Sequence, residues 1–182
     1  MKPLSSLSLE ALYQLFPIEL KPYNESYKTQ YLKEETLLKS LLKEELKAIY
    51  HIGSTAILSI VSKPIVDILI LLKEEANENK TINKLKEHGY LLMRQADNPF
   101  AVSFNKGYTP NGYDSEVYHI HIRKKGIDEV IFRDKLNQDL KLAKAYEALK
   151  EALLLKHGLN RDLYTEGKTD FVKCVLTLKQ DN

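Results

Sequence analysis

One cysteine, two methionines and no tryptophan are found in this chain, and Lys plus Arg outnumber Asp plus Glu by only 27 to 25. The lone Cys174 cannot close an internal disulfide, so the fold needs no covalent staple and a reducing compartment suits it. A formal net charge of +2 is too small for the concentrated basic face of a nucleic-acid binder. No run of about eighteen apolar residues offers a membrane-spanning helix, and no basic-plus-apolar leader is recognisable. Nor does any repeat or low-complexity stretch divide the chain. These absences point to a cytoplasmic protein whose partners are small molecules, with no nucleic acid and no membrane. The oligomeric state leaves no mark on the sequence.

What is present is 182 residues with 43% hydrophobic and 29% charged content, enough for one sizeable core and too little for two ordinary enzyme domains. Residues 1–22 read as an arm, a short helix over 9–16 followed by a reversal at Pro17 and Pro22. Residues 23–182 read as a single domain. Tyr27, Tyr31, Leu38, Leu42 and Leu46 recur at helical spacing and predict one long amphipathic helix over 24–47, capped by Asn24, with its charges on a solvated face. Such a stripe serves either packing on the domain's own sheet or an interaction with another protein.

Apolar, β-branched runs predict strands over 48–52 and 64–72, the second covered on both faces. A helix over 77–88 ends at Gly89, and further strands span 90–94, 100–105 and 116–122, with turns at Asn98-Pro99 and Pro110-Asn-Gly112. Helical patterning then covers 126–137, 139–157 and 160–179, with Leu142, Tyr146, Leu149 and Leu153 as one stripe. Cys174, between Phe171 and Leu178, is expected to be buried. The sum is an α+β fold, a mixed β-sheet with helices packed on it, an N-terminal long helix and a C-terminal helical segment.

Within this frame the segment His51-Ile-Gly-Ser-Thr-Ala, followed by Lys63-Pro-Ile-Val-Asp67, stands out. Asp67 sits among Val66, Ile68, Ile70 and Leu72, where an unpaired charge costs roughly several kcal/mol, so a cation, a metal or converging donors should face it. Gly53 allows close approach of a phosphate to the backbone, and Ser54 and Thr55 add hydroxyls and amides. The plain alternative is a hydroxyl-capped tight turn.

His119 and His121 lie two apart on a strand and share a face. With Asp67 they would make a two-histidine, one-carboxylate metal set; continued by Arg123, they would instead line an anion site. Lys63 is placed to compensate Asp67 or meet a phosphate. Arg133 offers a planar fork to phosphate with Asp134 orienting it, or else the two tie layers together. Lys168 interrupts an inward stripe that includes Tyr164, and Lys106 in the Phe-Asn-Lys-Gly turn is a ligand contact or a surface lysine.

An apolar residue, Gly-Ser, a spacer and a strand aspartate resembles the signature of the nucleotidyltransferase superfamily, the fold of DNA polymerase beta. The fuller series is Gly53-Ser-Thr-Ala, Lys63-Pro-Ile-Val-Asp67-Ile, Phe104-Asn-Lys-Gly107, His119-Ile-His121-Ile, Phe132-Arg-Asp134, and Tyr164 with Lys168. In that order it is similar to the GrpB family, from about Tyr23 to the C-terminus. The resemblance implies a nucleotidyltransferase-like fold that binds a nucleotide or other phosphorylated small molecule, with metal-dependent nucleotidyl transfer as its chemistry.

On that reading Asp67, Arg133 and Lys168 are catalytic. Gly53, Ser54, Thr55, Lys63, Lys106, Arg123, Asp134 and Tyr164 bind phosphate or ligand, and Asp67, His119 and His121 hold a divalent metal, Mg or Mn ahead of Zn. One departure matters: the second strand carboxylate of the superfamily is Leu69 here. The alternative is a non-catalytic domain binding a nucleotide or a coenzyme A precursor, since in some bacteria a domain of this family is joined to dephospho-coenzyme A kinase.

Overall fold

The computed structural model describes residues 6–158 and 160–178. The first five residues of the expected arm, the domain's last residues and the Lys179 end of the expected final helix lie outside them. Five strands form one mixed sheet: β1 (Leu46–Ile52), β2 (Val66–Leu72), β3 (Leu91–Asp97), β4 (Phe100–Thr109) and β5 (Gly112–Arg123), in the order β1-β2-β5-β4-β3. Only β2 and β5 run parallel; the other neighbours are antiparallel.

Strand alternation distributes β2 between two layers. Val66, Ile68, Ile70 and Leu72 are fully buried under α2 (Ser26–Leu42) and α3 (Glu78–Glu87), beside Tyr27, Leu38, Leu42, Ile82 and Leu85. Leu69 and Leu71 face the opposite layer, where they meet Ile52 and Val130. That layer is built from α4 (Asp128–Gln138), α5 (Leu140–His157), α6 (Arg161–Glu166) and α7 (Thr169–Thr177). Phe132, Leu136, Ala143, Tyr146 and Val175 pack there with Ile57 and Ile60. Helix starts follow their caps: Asn77, Asp139 and Asn160 each accept backbone N–H bonds from the first turn that follows. The arm is no free appendage, because α1 (Leu9–Leu15) leads into Phe16, stacked near Tyr108 and Tyr113, and Ile18, packed on Leu153 and Tyr164.

Several expectations are corrected. The helix over 24–47 stops at Leu42, since Lys43–Glu45 tighten into a 3-10 turn and Leu46 pairs with Leu72. Strand pairing there overrides the helical propensity of a Leu, Lys and Glu run. The strand expected from 116 begins at Gly112, because Thr109 and Gly112 close a hairpin. The single helix over 160–179 is two helices, α6 and α7, separated at Gly167 and Lys168. Cys174 is exposed, not buried.

The charged face of α2 is not wholly solvated either, for Glu34 is 2% exposed. Its carboxylate accepts from Lys106 Nζ at 2.7 and 2.8 Å and from the Tyr90 hydroxyl. Among the described residues no helix is long and apolar enough to cross a membrane.

Candidate functional site

The turn after β1 and the opening of β2 form one edge of the site. Gly53 takes φ +71° and ψ −175°, a region essentially restricted to glycine, and Ser54–Ala56 form a 3-10 turn. A Cβ on Gly53 would lie 2.2 Å from Asp67 Oδ2, so the turn and the carboxylate are in direct apposition. The backbone cannot bring them this close with any other residue. Asp67 is paired with His119 in the β2–β5 register, and His121 lies two residues further along the same face.

Asp67 Oδ1 is 3.2 Å from His119 Nδ1 and 3.7 Å from His121 Nε2. Burial alone would raise the Asp67 carboxyl, but the hydrogen bond from His119 and the nearby His121 imidazole outweigh it and hold the group well below the usual carboxylate range. The converging donors expected for a carboxylate in an apolar strand are these two histidines. The expected burial is less complete, since the Asp67 side chain keeps 26% of its surface open. His119 is held at its other end too, with Nε2 2.7 Å from the Tyr108 hydroxyl.

Beside this group opens a cavity of about 620 Å³. Of the expected residues, Gly53, Ser54, Thr55, Lys63, Asp67, His119, His121, Tyr164 and Lys168 all line it. The Thr55 hydroxyl is already engaged, donating to the Ile65 carbonyl at 3.2 Å and meeting His51 Nε2 at 3.0 Å. Ser54, beside it in the turn, lines the same cavity as Tyr146.

The far wall is cationic. Lys63 and Lys168 stand over the Tyr164 ring at 5.7 and 4.7 Å from its centroid, and Lys150 over the Tyr146 ring at 5.0 Å. Among the described residues none of these three lysines is in an ion pair. Burial pulls Lys63 and Lys150 each down to about 8, reinforced by the neighbouring Lys168, whose own ammonium burial also disfavours.

The sign of the resulting pH effect is definite. A lysine titrating near 8 when folded and near 10.5 when unfolded is a strained ammonium below pH 8, and the unfolded chain binds more protons between those values. Stability of the ligand-free protein should therefore rise from about pH 7.5 to about pH 9.5, read as a higher denaturant midpoint, and Lys63→Met should flatten that slope. An unchanged slope in the variant would remove Lys63 from the cause.

Four expected residues do not reach the cavity. Lys106 projects to the α2 face and pairs with Glu34. Arg133 donates to the His51 carbonyl at 2.6 Å and to Asp134 Oδ1 at 2.8 Å, so this pair ties α4 to β1. Arg123 continues the histidine face but pairs with Glu129, which itself lines the cavity. The wall also holds polar residues that were not expected as ligand contacts, Lys150 and Tyr146 together with Asp128, Glu129 and Thr165. Lys150 is 2% exposed and lies one turn after Tyr146 and one before Leu153, so a lysine on the inward stripe of α5 was its signal.

The metal set fares differently from the anion set. Among the described residues no three His, Cys, Asp or Glu side chains are arranged to hold a metal ion. Both nitrogens of His119 are already engaged, Nδ1 with Asp67 Oδ1 and Nε2 with the Tyr108 hydroxyl. Leu69, in the place of a second carboxylate, is fully buried.

Against known proteins, the GrpB protein family matches residues 17–177. The Glutamate-rich protein GrpB of Alkalihalophilus pseudofirmus is 32% identical over 86% of this chain and 92% of its own length. The UPF0157 protein YqkA of Bacillus subtilis is 30% identical over 92% of this chain, which spans 48% of that longer protein. Among solved structures, the conserved protein GrpB from Enterococcus faecalis superposes with a TM-score of 0.75 at 26% identity, covering 87% of this chain and 94% of that one. Cid1 poly(U) polymerase with MgGTP superposes with a TM-score of 0.50 at 17% identity, over 82% of this chain and 46% of that one, a likeness of fold alone. The chain belongs to the GrpB family and carries its nucleotidyltransferase-like α+β fold.

Proposed function

We propose that the cavity binds a nucleotide or other phosphorylated small molecule through its phosphates, with lysines in place of a metal as the source of positive charge. One observation carries this reading: Lys63, Lys150 and Lys168 line a single cavity together with the Gly53-Ser54-Thr55 turn, and among the described residues none of the three is in an ion pair, carboxylates acting on them only at longer range. Buried ammonium groups without an ion pair are costly, and a phosphate supplies both the missing charge and acceptors for the N–H groups of Lys63 and Lys168.

Nucleotidyl transfer is the second reading, favoured by Asp67 standing at the turn with its carboxylate partly open to the cavity. Since Asp67 and the histidines bind one another, no step through a metal is derived from them.

Calorimetric titration of the whole protein with ATP, AMP and inorganic phosphate, each with and without EDTA, tests the first reading. Binding should survive EDTA and weaken roughly tenfold to a hundredfold in Lys168→Gln, the worth of one charge-assisted bond. Absence of binding by all three ligands would contradict it. Release of pyrophosphate from ATP with Mn would move the assignment to the second reading.

A further inference from the structure

Lys150 differs from the other two cationic wall residues in how deeply it is set. Its side chain is 2% exposed, its Nζ donates to the Val61 carbonyl, and the Tyr146 ring lies beneath it. The carboxylate one turn before it, Glu147, is committed elsewhere, accepting from Val61 N at 2.6 Å and pairing with Lys144 at 2.6 Å. A lysine desolvated in this way, with another ammonium nearby, has its neutral amine favoured over the cation. Burial, the largest effect, and Lys168 act in that direction here, outweighing the opposite pull of Glu147 and Glu151.

The same tyrosine stands between the amine and the turn, since the Tyr146 ring carries Lys150 on its face and Tyr146, Lys150 and Ser54 line one cavity. A reactive amine thus stands one aromatic ring away from the proposed phosphate seat. Lys63 and Lys168, over Tyr164, remain available for the phosphate.

Resting on the phosphate-binding reading, we infer that Lys150 is a carbonyl-reactive lysine and that the cavity takes small aldehydes or ketones bearing a phosphate. The Nζ lone pair forms a bond to the carbonyl carbon, and the carbonyl π bond opens to an alkoxide that takes up the first of the amine's two protons. The amine's two protons and the former carbonyl oxygen then leave as water, giving a C=N bond with no change of oxidation state. Tyr146, whose hydroxyl burial pushes up to about 12, stays protonated beside this step.

Pyridoxal phosphate is a suitable probe, incubated at micromolar concentration with the full chain, reduced with borohydride and mapped by peptide mass spectrometry. The expected result is near-stoichiometric modification at Lys150, lost in Lys150→Arg and at least tenfold weaker with pyridoxal lacking its phosphate. Lys63→Gln should raise the half-saturating concentration roughly tenfold without moving the attachment site. In the unmutated protein, saturating inorganic phosphate should slow the labelling, a readout independent of any variant's folding. Modification spread over surface lysines with Lys150 untouched would overturn the inference. If ATP and phosphate still bind by calorimetry in that case, the phosphate reading stands and only the imine falls; if neither binds, both fall.

Discussion

Replacing Gly53 with alanine should lower the unfolding free energy by about 3 kcal/mol and remove ligand binding together with it. Two costs combine. The backbone at φ +71° and ψ −175° lies in a region that a Cβ penalises by about 1–3 kcal/mol. The new methyl would also sit 2.2 Å from Asp67 Oδ2 and 2.8 Å from Asp67 Cβ, an overpacking cost of about the same size. Because the neighbour is the stem of a short side chain and not the end of a flexible one, relief requires Asp67 to swing away. That motion breaks its bonds to His119 and His121. Denaturant unfolding measures the first effect and calorimetry with ATP the second; a variant of undiminished stability would show that turn and carboxylate are not in contact.

Lys106→Met should cost about 3 kcal/mol without altering ligand binding. It strands the Glu34 carboxylate, whose side chain is 3% exposed, on the face of the sheet away from the cavity. Removing one partner of a buried pair leaves an uncompensated charge worth about 3–5 kcal/mol, and the 29% exposure of Lys106 places this case at the low end. The compensated variant Glu34→Gln with Lys106→Met keeps an acceptor for the Tyr90 hydroxyl and carries no charge. Most of the lost stability should return, as a coupling energy in a double-mutant cycle. Additive losses would mean that Glu34 is solvated, and weaker ATP binding in Lys106→Met would return Lys106 to the ligand site.

The contrast between these two residues shows where sequence reading succeeds and where it stops. Asp67, His119 and His121 were legible because strand alternation fixes faces, so a carboxylate in an apolar strand and two histidines two apart are brought together by parallel pairing alone. The Gly53 turn was legible because it directly follows β1, whose last residue Ile52 pairs antiparallel with Asp67.

The layer tie made by Arg133 and Asp134 was one of two open readings, but the pairing of Lys106 and the distant acceptor of Arg133 were not legible. Glu34 is 72 residues from Lys106, and the His51 carbonyl is 82 residues from Arg133. Nothing local announces either contact. Lys150 was hidden for another reason: on a helix rich in lysine, one inward cation reads as a break in the pattern until the packing of α5 against the sheet is known. The residue order of α2 likewise favoured a helix through Glu45, and only the pairing of Leu46 with Leu72 ends it earlier.

The most direct measurement of the central claim is a crystal structure of the protein grown with saturating ATP. The account predicts the phosphates in the cavity, in contact with Lys63 and Lys168 and against the Gly53-Ser54-Thr55 turn, with Asp67 still joined to its histidines. Nucleotide bound on another face, or a cavity left without phosphate at saturation, would contradict it.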